Sequence, residues 1–193
     1  MDETSISLLE RLRHQPAETD WQRLVELYTP LVRGWLRQNA PTLRDSDDLV
    51  QDVLAVVVRR IGDFEHQRTG SFRRWLKSIT VNCLRDHWKR QRGKPAGTGD
   101  SDFLHMLQEL EDPHSEMSRR WDEEHDRHVT QRLLQLIRSR FEPSTWRAFE
   151  RVTLEGASPD ETAAELGMTV NAVFIAKSRV LACLRQEGRG LIE

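Results

Sequence analysis

The chain lacks most of what the large function classes require. Its 193 residues include only two cysteines, Cys83 and Cys183, far too few for the disulfide framework of a small secreted scaffold. Both are expected as reduced thiols within helices. The longest apolar run, residues 53–58, falls far short of the roughly 20 residues that span a bilayer. The first fifteen residues are acidic and then polar, without the basic-then-apolar order of a signal peptide. A cytoplasmic protein with no membrane insertion is expected. No glycine-rich phosphate loop and no nucleophile elbow is visible. Cys83 and His87 stand four apart, a metal-ligand spacing, but no second ligand pair lies beside them. The sequence therefore points to no catalytic residue, no metal and no cofactor. His66, His87, His105, His114, His125 and His128 are scattered among charges and are expected to be solvated. The net charge is −2, so the chain also lacks the overall positive excess of many nucleic-acid binders.

What is present is charge of both signs, sorted into blocks. Between residues 68 and 94 nine lysines and arginines stand against the single acid Asp86. Between residues 100 and 126 ten acids stand against Arg119 and Arg120. A basic block beside an acidic block implies different partners for different segments. The boundary between them, Arg92-Gly93-Lys94-Pro95-Ala96-Gly97-Thr98-Gly99-Asp100, reads as a linker from its glycine and proline content.

Apolar spacing predicts helix almost throughout and no strand. The expected helices cover residues 6–13, 20–38, 46–61, 72–91, 126–141, 144–154, 159–166 and 170–187, with Pro30 kinking the second. Either Asp45 or Ser46 caps the third, Gly62 ends it, and a polar loop spans residues 63–71. The acidic stretch around Phe103, Leu104, Met106 and Leu107 is either a short helix or an extended strap. The fold class is all-α, with two small helical domains joined by an acidic linker: residues 1–92, a linker over 93–125, and residues 126–193.

The second domain carries a helix-turn-helix pattern. Ala163 is followed four residues on by Gly167 and six further by Val173. This spacing suits a short helix, a tight turn and a second helix. Ala163 permits close crossing, Gly167 takes the positive φ of the turn, and Val173 seals the seam. Ser158-Pro159-Asp160-Glu161 opens the first helix with a capping box and a proline at its first position. On the second helix, Val173, Ala176, Val180 and Leu184 form the buried stripe. Asn171, Phe174, Ile175, Ser178 and Arg185 face away, with Lys177 and Arg179 at the flanks. Such a helix usually enters the DNA major groove.

In the first domain, a wheel of residues 72–92 puts Phe72, Trp75, Leu76, Ile79 and Cys83 in one arc. Arg73, Arg74, Lys77, Arg85, Lys89 and Arg92 fall in a wide arc opposite, with Trp88 among them and Asn82 at its border. A basic stripe with an aromatic suits phosphates and unpaired bases. The preceding helix opens with Asp47, Asp48, Gln51 and Asp52, acids favoured by the helix dipole. Behind them lie Leu49, Val50, Val53, Leu54 and Val57. The apolar excess over residues 53–58 is wider than one small core face needs, which suits partner docking.

These segments resemble a bacterial RNA polymerase sigma factor of the extracytoplasmic-function (ECF) type, within the sigma-70 family. Asp47-Asp48-Leu49-Val50-Gln51-Asp52-Val53 resembles the segment that docks on the β′ clamp helices of core RNA polymerase. The run from Phe72 to Arg90 resembles the helix that melts and reads the minus-ten promoter element. The run from Leu154 to Val173 resembles the domain that reads the minus-thirty-five element. The resemblance implies polymerase binding by Asp47, Asp48, Leu49, Gln51 and Asp52. It implies minus-ten contacts by Arg73, Arg74, Lys77, Asn82, Arg85, Trp88 and Lys89, with a flipped base held by the loop at residues 63–71. Minus-thirty-five contacts fall to Asn171, Phe174, Ile175, Lys177, Ser178 and Arg179. Phe174 and Ile175 stand where many relatives carry lysine, arginine or serine. They suit either thymine methyls or packing against a partner or neighbouring helix. The acidic stretch resembles the family's connector through the polymerase channel. Alternatively, its acids hold the basic helix when polymerase is absent. Further partners implied are promoter DNA, the polymerase β flap and an anti-sigma factor, common in that family. The competing reading is a stand-alone helix-turn-helix transcriptional regulator.

Overall fold

The computed structural model describes residues 7–39, 46–65, 71–91 and 100–192, and every regular element among them is helical. The fold is all-α. The chain divides into two compact units, one of Leu8–Val129 with the residues from Gly190 on, the other of Thr130–Arg189 with the residues up to Ser7. The loop residues 66–70, His66 and Arg68 among them, lie outside the described residues, as do residues 1–6, Asp45 and the linker residues 92–99.

The N-terminal unit holds α1 (Leu8–His14), α2 (Glu18–Asn39), α3 (Ser46–Arg60), α4 (Ser71–Gln91), α5 (Asp100–Glu111) and the first part of α6 (Glu116–Ile137). α2 continues through Pro30. It brings Leu24, Leu27, Tyr28, Val32, Trp35 and Leu36 to the interior, and α3 brings Leu49, Val50, Val53 and Val57. Phe72, Leu76 and Ile79 of α4 are buried as their spacing predicts. A ring cluster of Tyr28, Phe64, Phe72 and Trp75, with centroids 5.1 to 5.4 Å apart, joins the start of α4 to α2 and the turn after α3.

The acidic stretch is helical too, and it is part of this core. Met106, Leu107 and Leu110 of α5 are buried, and so are Trp121, His125 and Val129 of α6. Trp121 meets Trp35 edge-on at 5.1 Å. Burial of large apolar side chains is the dominant favourable term in folding, so the many acids of this stretch do not prevent these helices from docking. His125 corrects one expectation from the sequence. It is fully buried, not solvated. The cost of burying it is offset because Asp126 accepts from its Nδ1–H at 3.0 Å and the Tyr28 hydroxyl lies 3.4 Å from Nε2. His128 is half-buried and donates to the Leu27 carbonyl at 2.8 Å.

The C-terminal unit is built from the last turns of α6, α7 (Pro143–Phe149), a π turn at Glu150–Leu154, α8 (Pro159–Leu166) and α9 (Val170–Gly188). Ile137, Trp146, Phe149 and Val180 form one core, and Ala148, Ala163, Val173 and Ala176 another. Small residues at Ala148, Ala163 and Ala176 let α7, α8 and α9 approach closely.

Candidate nucleic-acid interface

Two cationic surfaces stand out, one in each unit. The C-terminal one starts from the caps. Ser158 and Glu161 form the reciprocal capping box at the start of α8, with Pro159 in the first turn. The hydrogen bond from the Ser158 backbone N–H holds the Glu161 carboxyl below its usual range. Gly167 ends α8 at φ +62°, the left-handed region its missing Cβ allows. Thr169 caps α9 by accepting from Ala172 N–H at 3.1 Å. The two helices are bent by 104° across this turn. Arg147 and Arg151, on α7 and the π turn, are tied to Glu155 and Glu165 at 2.6 to 3.9 Å, bracing α8 from behind. Glu155 is held below its usual range chiefly by the Arg151 hydrogen bond.

α9 presents two different faces. Val173, Ala176 and Val180 are buried and Leu184 is half-buried against the core. Asn171, Phe174, Ile175, Ser178 and Arg179 are exposed, and Lys177 is half-exposed. Phe174 and Ile175 are 52% and 50% accessible, among the largest apolar exposures of the described residues. Among the described residues, neither Lys177 nor Arg179 has a carboxylate partner. A cleft of about 580 Å³ lies elsewhere in this unit, lined by Gln135, Arg138, Phe141, Pro143, Trp146 and Arg147. The Arg138 guanidinium sits 5.8 Å from the Trp146 ring centre there.

On α4 the basic residues separate into two groups. Arg73 bonds to Asp126 and lies 3.8 Å from Asp122. Lys77 is buried, donates to Ser118 and lies 3.5 Å from Asp122. Arg85 pairs with Glu111, and the Trp88 ring stacks on Phe103 at 6.1 Å. All these partners belong to α5 and α6. Burial alone raises the Asp126 pKa. The hydrogen bonds from His125 and Arg73 outweigh it and hold the carboxyl below its usual range. Arg74, Asn82 and Lys89 face outward instead, on one stripe at helical spacing. Cys83 is a buried thiol, pushed up to about 11 by burial and then by Asp52 and Asp86.

The acidic face of α3 is equally mixed. Asp47, Asp48 and Gln51 are exposed, Asp47 bonding to Arg33 at 2.8 Å, and Asp52 pairs with Arg90 at 3.0 Å. Leu49 departs from that group. It is fully buried beneath it and contributes packing, not contact. Val58 is the exposed part of the apolar run, at 39%, while Val53 and Val57 are core residues.

Ser118 and Trp121 are what the sequence reading missed: Ser118 accepts from Lys77 and Trp121 anchors α6 in the core, while Asp122 and Asp126 belong to the acidic stretch expected to hold the basic helix. The signal was present as apolar positions four apart, Trp121, His125, Val129, Leu133 and Ile137, all buried. Dense charge between those positions hid it. Among the described residues, no three His, Cys, Asp or Glu side chains are grouped to hold a metal ion. No single described helix is long and apolar enough to cross a membrane.

No curated protein matches the chain. Residues 24–94, which comprise most of α2 with α3 and α4, match the family model for sigma-70 region 2. Over that stretch, which is less than half of the chain, the protein is similar to sigma-70 region 2.

Proposed function

We propose that the chain is a sigma factor of the ECF type that directs core RNA polymerase to its promoters. The observation that carries this reading is the region 2 match over residues 24–94, on the three helices that bear the acidic and basic surfaces. The exposed acids Asp47 and Asp48 and the exposed amide Gln51, with Asp52, dock on the β′ clamp helices. The outward stripe of Arg74, Asn82 and Lys89 meets the minus-ten element. Asn82 there offers both a donor and an acceptor to a base edge. Arg73, Lys77, Arg85 and Trp88 join that surface only where α5 and α6 yield them. In the C-terminal unit α8 and α9 form a helix-turn-helix. Their 104° bend, capping and αL glycine support that reading. α9 contributes Asn171, Phe174, Ile175, Lys177, Ser178 and Arg179 to the minus-thirty-five element. The chain supplies recognition and the polymerase the chemistry, so no catalytic group is required of it. The polymerase β flap and an anti-sigma factor complete the partners.

Run-off transcription tests this directly. Core polymerase is incubated with genomic or cloned promoter fragments, with and without the chain. Transcripts with defined start points are expected only in its presence. Identical transcripts in both reactions, with no retention of core polymerase by the tagged chain, would reject the reading. Specific duplex binding by the chain without polymerase would favour a stand-alone regulator.

A further inference from the structure

We infer that Phe174 and Ile175 read thymine methyl groups in the major groove, so that the upstream promoter element owes part of its specificity to apolar contact. This rests on the sigma-factor reading and adds the chemistry of its upstream site. Both side chains lie on the outward face of α9, opposite the buried Val173, Ala176 and Val180. They are about half exposed, at 52% and 50%, although neighbouring positions on the same helix are fully covered. Around them the face is polar or cationic: Asn171, Ser178, Arg179 and Lys177.

The surroundings decide the occupant. A protein-docking patch is usually a contiguous apolar area of several hundred Å². Two side chains ringed by polar groups and cations do not make one. Among the described residues no carboxylate pairs with Lys177 or Arg179, which is the state expected of groups that meet phosphates. Thymine C5-methyl is the apolar group that base edges present in the major groove. The first turns of a groove-entering helix are those that reach base edges, and positions 174 and 175 follow the Thr169 cap by only a turn or so. Lysine and arginine at these two positions would seek guanine instead.

The test uses core polymerase assembled with the full chain. Sites are selected from a pool of randomised duplexes. Each recovered upstream element is then resynthesised with deoxyuridine for thymidine. This removes the methyl and keeps base pairing. The expected result is a loss of roughly three- to fivefold in affinity per methyl contacted, the ratio that burial of one such group supports. The double variant F174S/I175S should bind the two duplexes equally, with its salt dependence unchanged. R179A should do the reverse, keeping the preference for thymidine while its salt slope falls. Equal binding of both duplexes by the unaltered holoenzyme, a comparison that needs no variant, would overturn the inference and leave the sigma reading intact. So would loss of polymerase by F174S/I175S in a pull-down without DNA, which would mark a protein-docking face. Failure of the unaltered chain to associate with core polymerase at all would remove both readings together.

Discussion

α4 and α9 are both cationic helices, yet their charges are in opposite states. On α4, Arg73, Lys77 and Arg85 are answered by Asp122, Asp126 and Glu111 from the same unit. On α9, Lys177 and Arg179 meet no carboxylate among the described residues. A run of basic residues is therefore not the same thing as a basic surface. The denser run, on α4, has the smaller share of its charge turned outward. The sparser run, on α9, has its charge unmatched. Pairing also differs by depth. The Arg73 and Lys77 side chains, 22% and 10% accessible, bond beside the fully buried Trp121 and His125, so their pairs are partly buried at the edge of the core. Arg85 and Glu111 are each about 40% accessible, so their pair is a surface contact worth little.

The largest test of this contrast is Trp121→Ala. Removing a buried indole should cost about 3–5 kcal/mol of unfolding free energy, read by urea denaturation. A loss below about 1 kcal/mol would mean that the first part of α6 is not a core element. Next come paired substitutions of the two classes of arginine. Arg73→Ala takes one partner from each of Asp122 and Asp126, which keep Lys77 and His125, and should cost about 1–2 kcal/mol of stability. Arg179→Ala should leave stability within about 0.5 kcal/mol and lower the salt slope of promoter binding by about one. If both variants behave alike, the contrast fails. Smaller still is the effect of uncovering the rear of α4. Glu111→Gln with Asp122→Asn should strengthen binding of single-stranded DNA by the free chain about two- to fivefold at low salt, measured by fluorescence anisotropy. Unchanged affinity would show that these acids do not compete with nucleic acid.

The smallest expected effect is a pH dependence. In the folded chain the hydrogen bonds from His125 and Arg73 outweigh burial and hold the Asp126 carboxyl below its ordinary value of 3.8. Its contribution is present in full above that unfolded value and is lost as pH falls through the lower folded one. Thermal melts of the unaltered chain and of Asp126→Asn should therefore converge as pH drops below about 4. A gap that stays constant with pH would remove the carboxylate from the argument.

Much of this architecture was legible in the sequence. The capping box at Ser158 and Glu161, the αL turn at Gly167 and the buried stripe of α9 are local effects, and local pattern dictates them. The arc of Phe72, Leu76 and Ile79 on α4 was equally plain. What escaped was long-range. Nothing near Asp122 or Asp126 in sequence names Arg73 as their partner, 49 and 53 positions away. Nor does anything near His125 name Tyr28, 97 positions away. A histidine between acids looks solvated until the hydroxyl and carboxylate that receive it are in place. Leu49 is a different case. Helical phase already sets it behind its acidic neighbours, and only the family resemblance places it at a contact surface.

The bracing of Arg73 and Lys77 by α6 has a consequence for dissecting the molecule. The stretch that matches region 2 ends at residue 94, but the floor beneath it is laid by Trp121, His125 and Val129. A fragment cut where the homology stops would be left with an indole-sized gap beside Trp35 and two stranded cations. The shortest autonomous piece extends past Val129, well beyond the edge that sequence kinship marks.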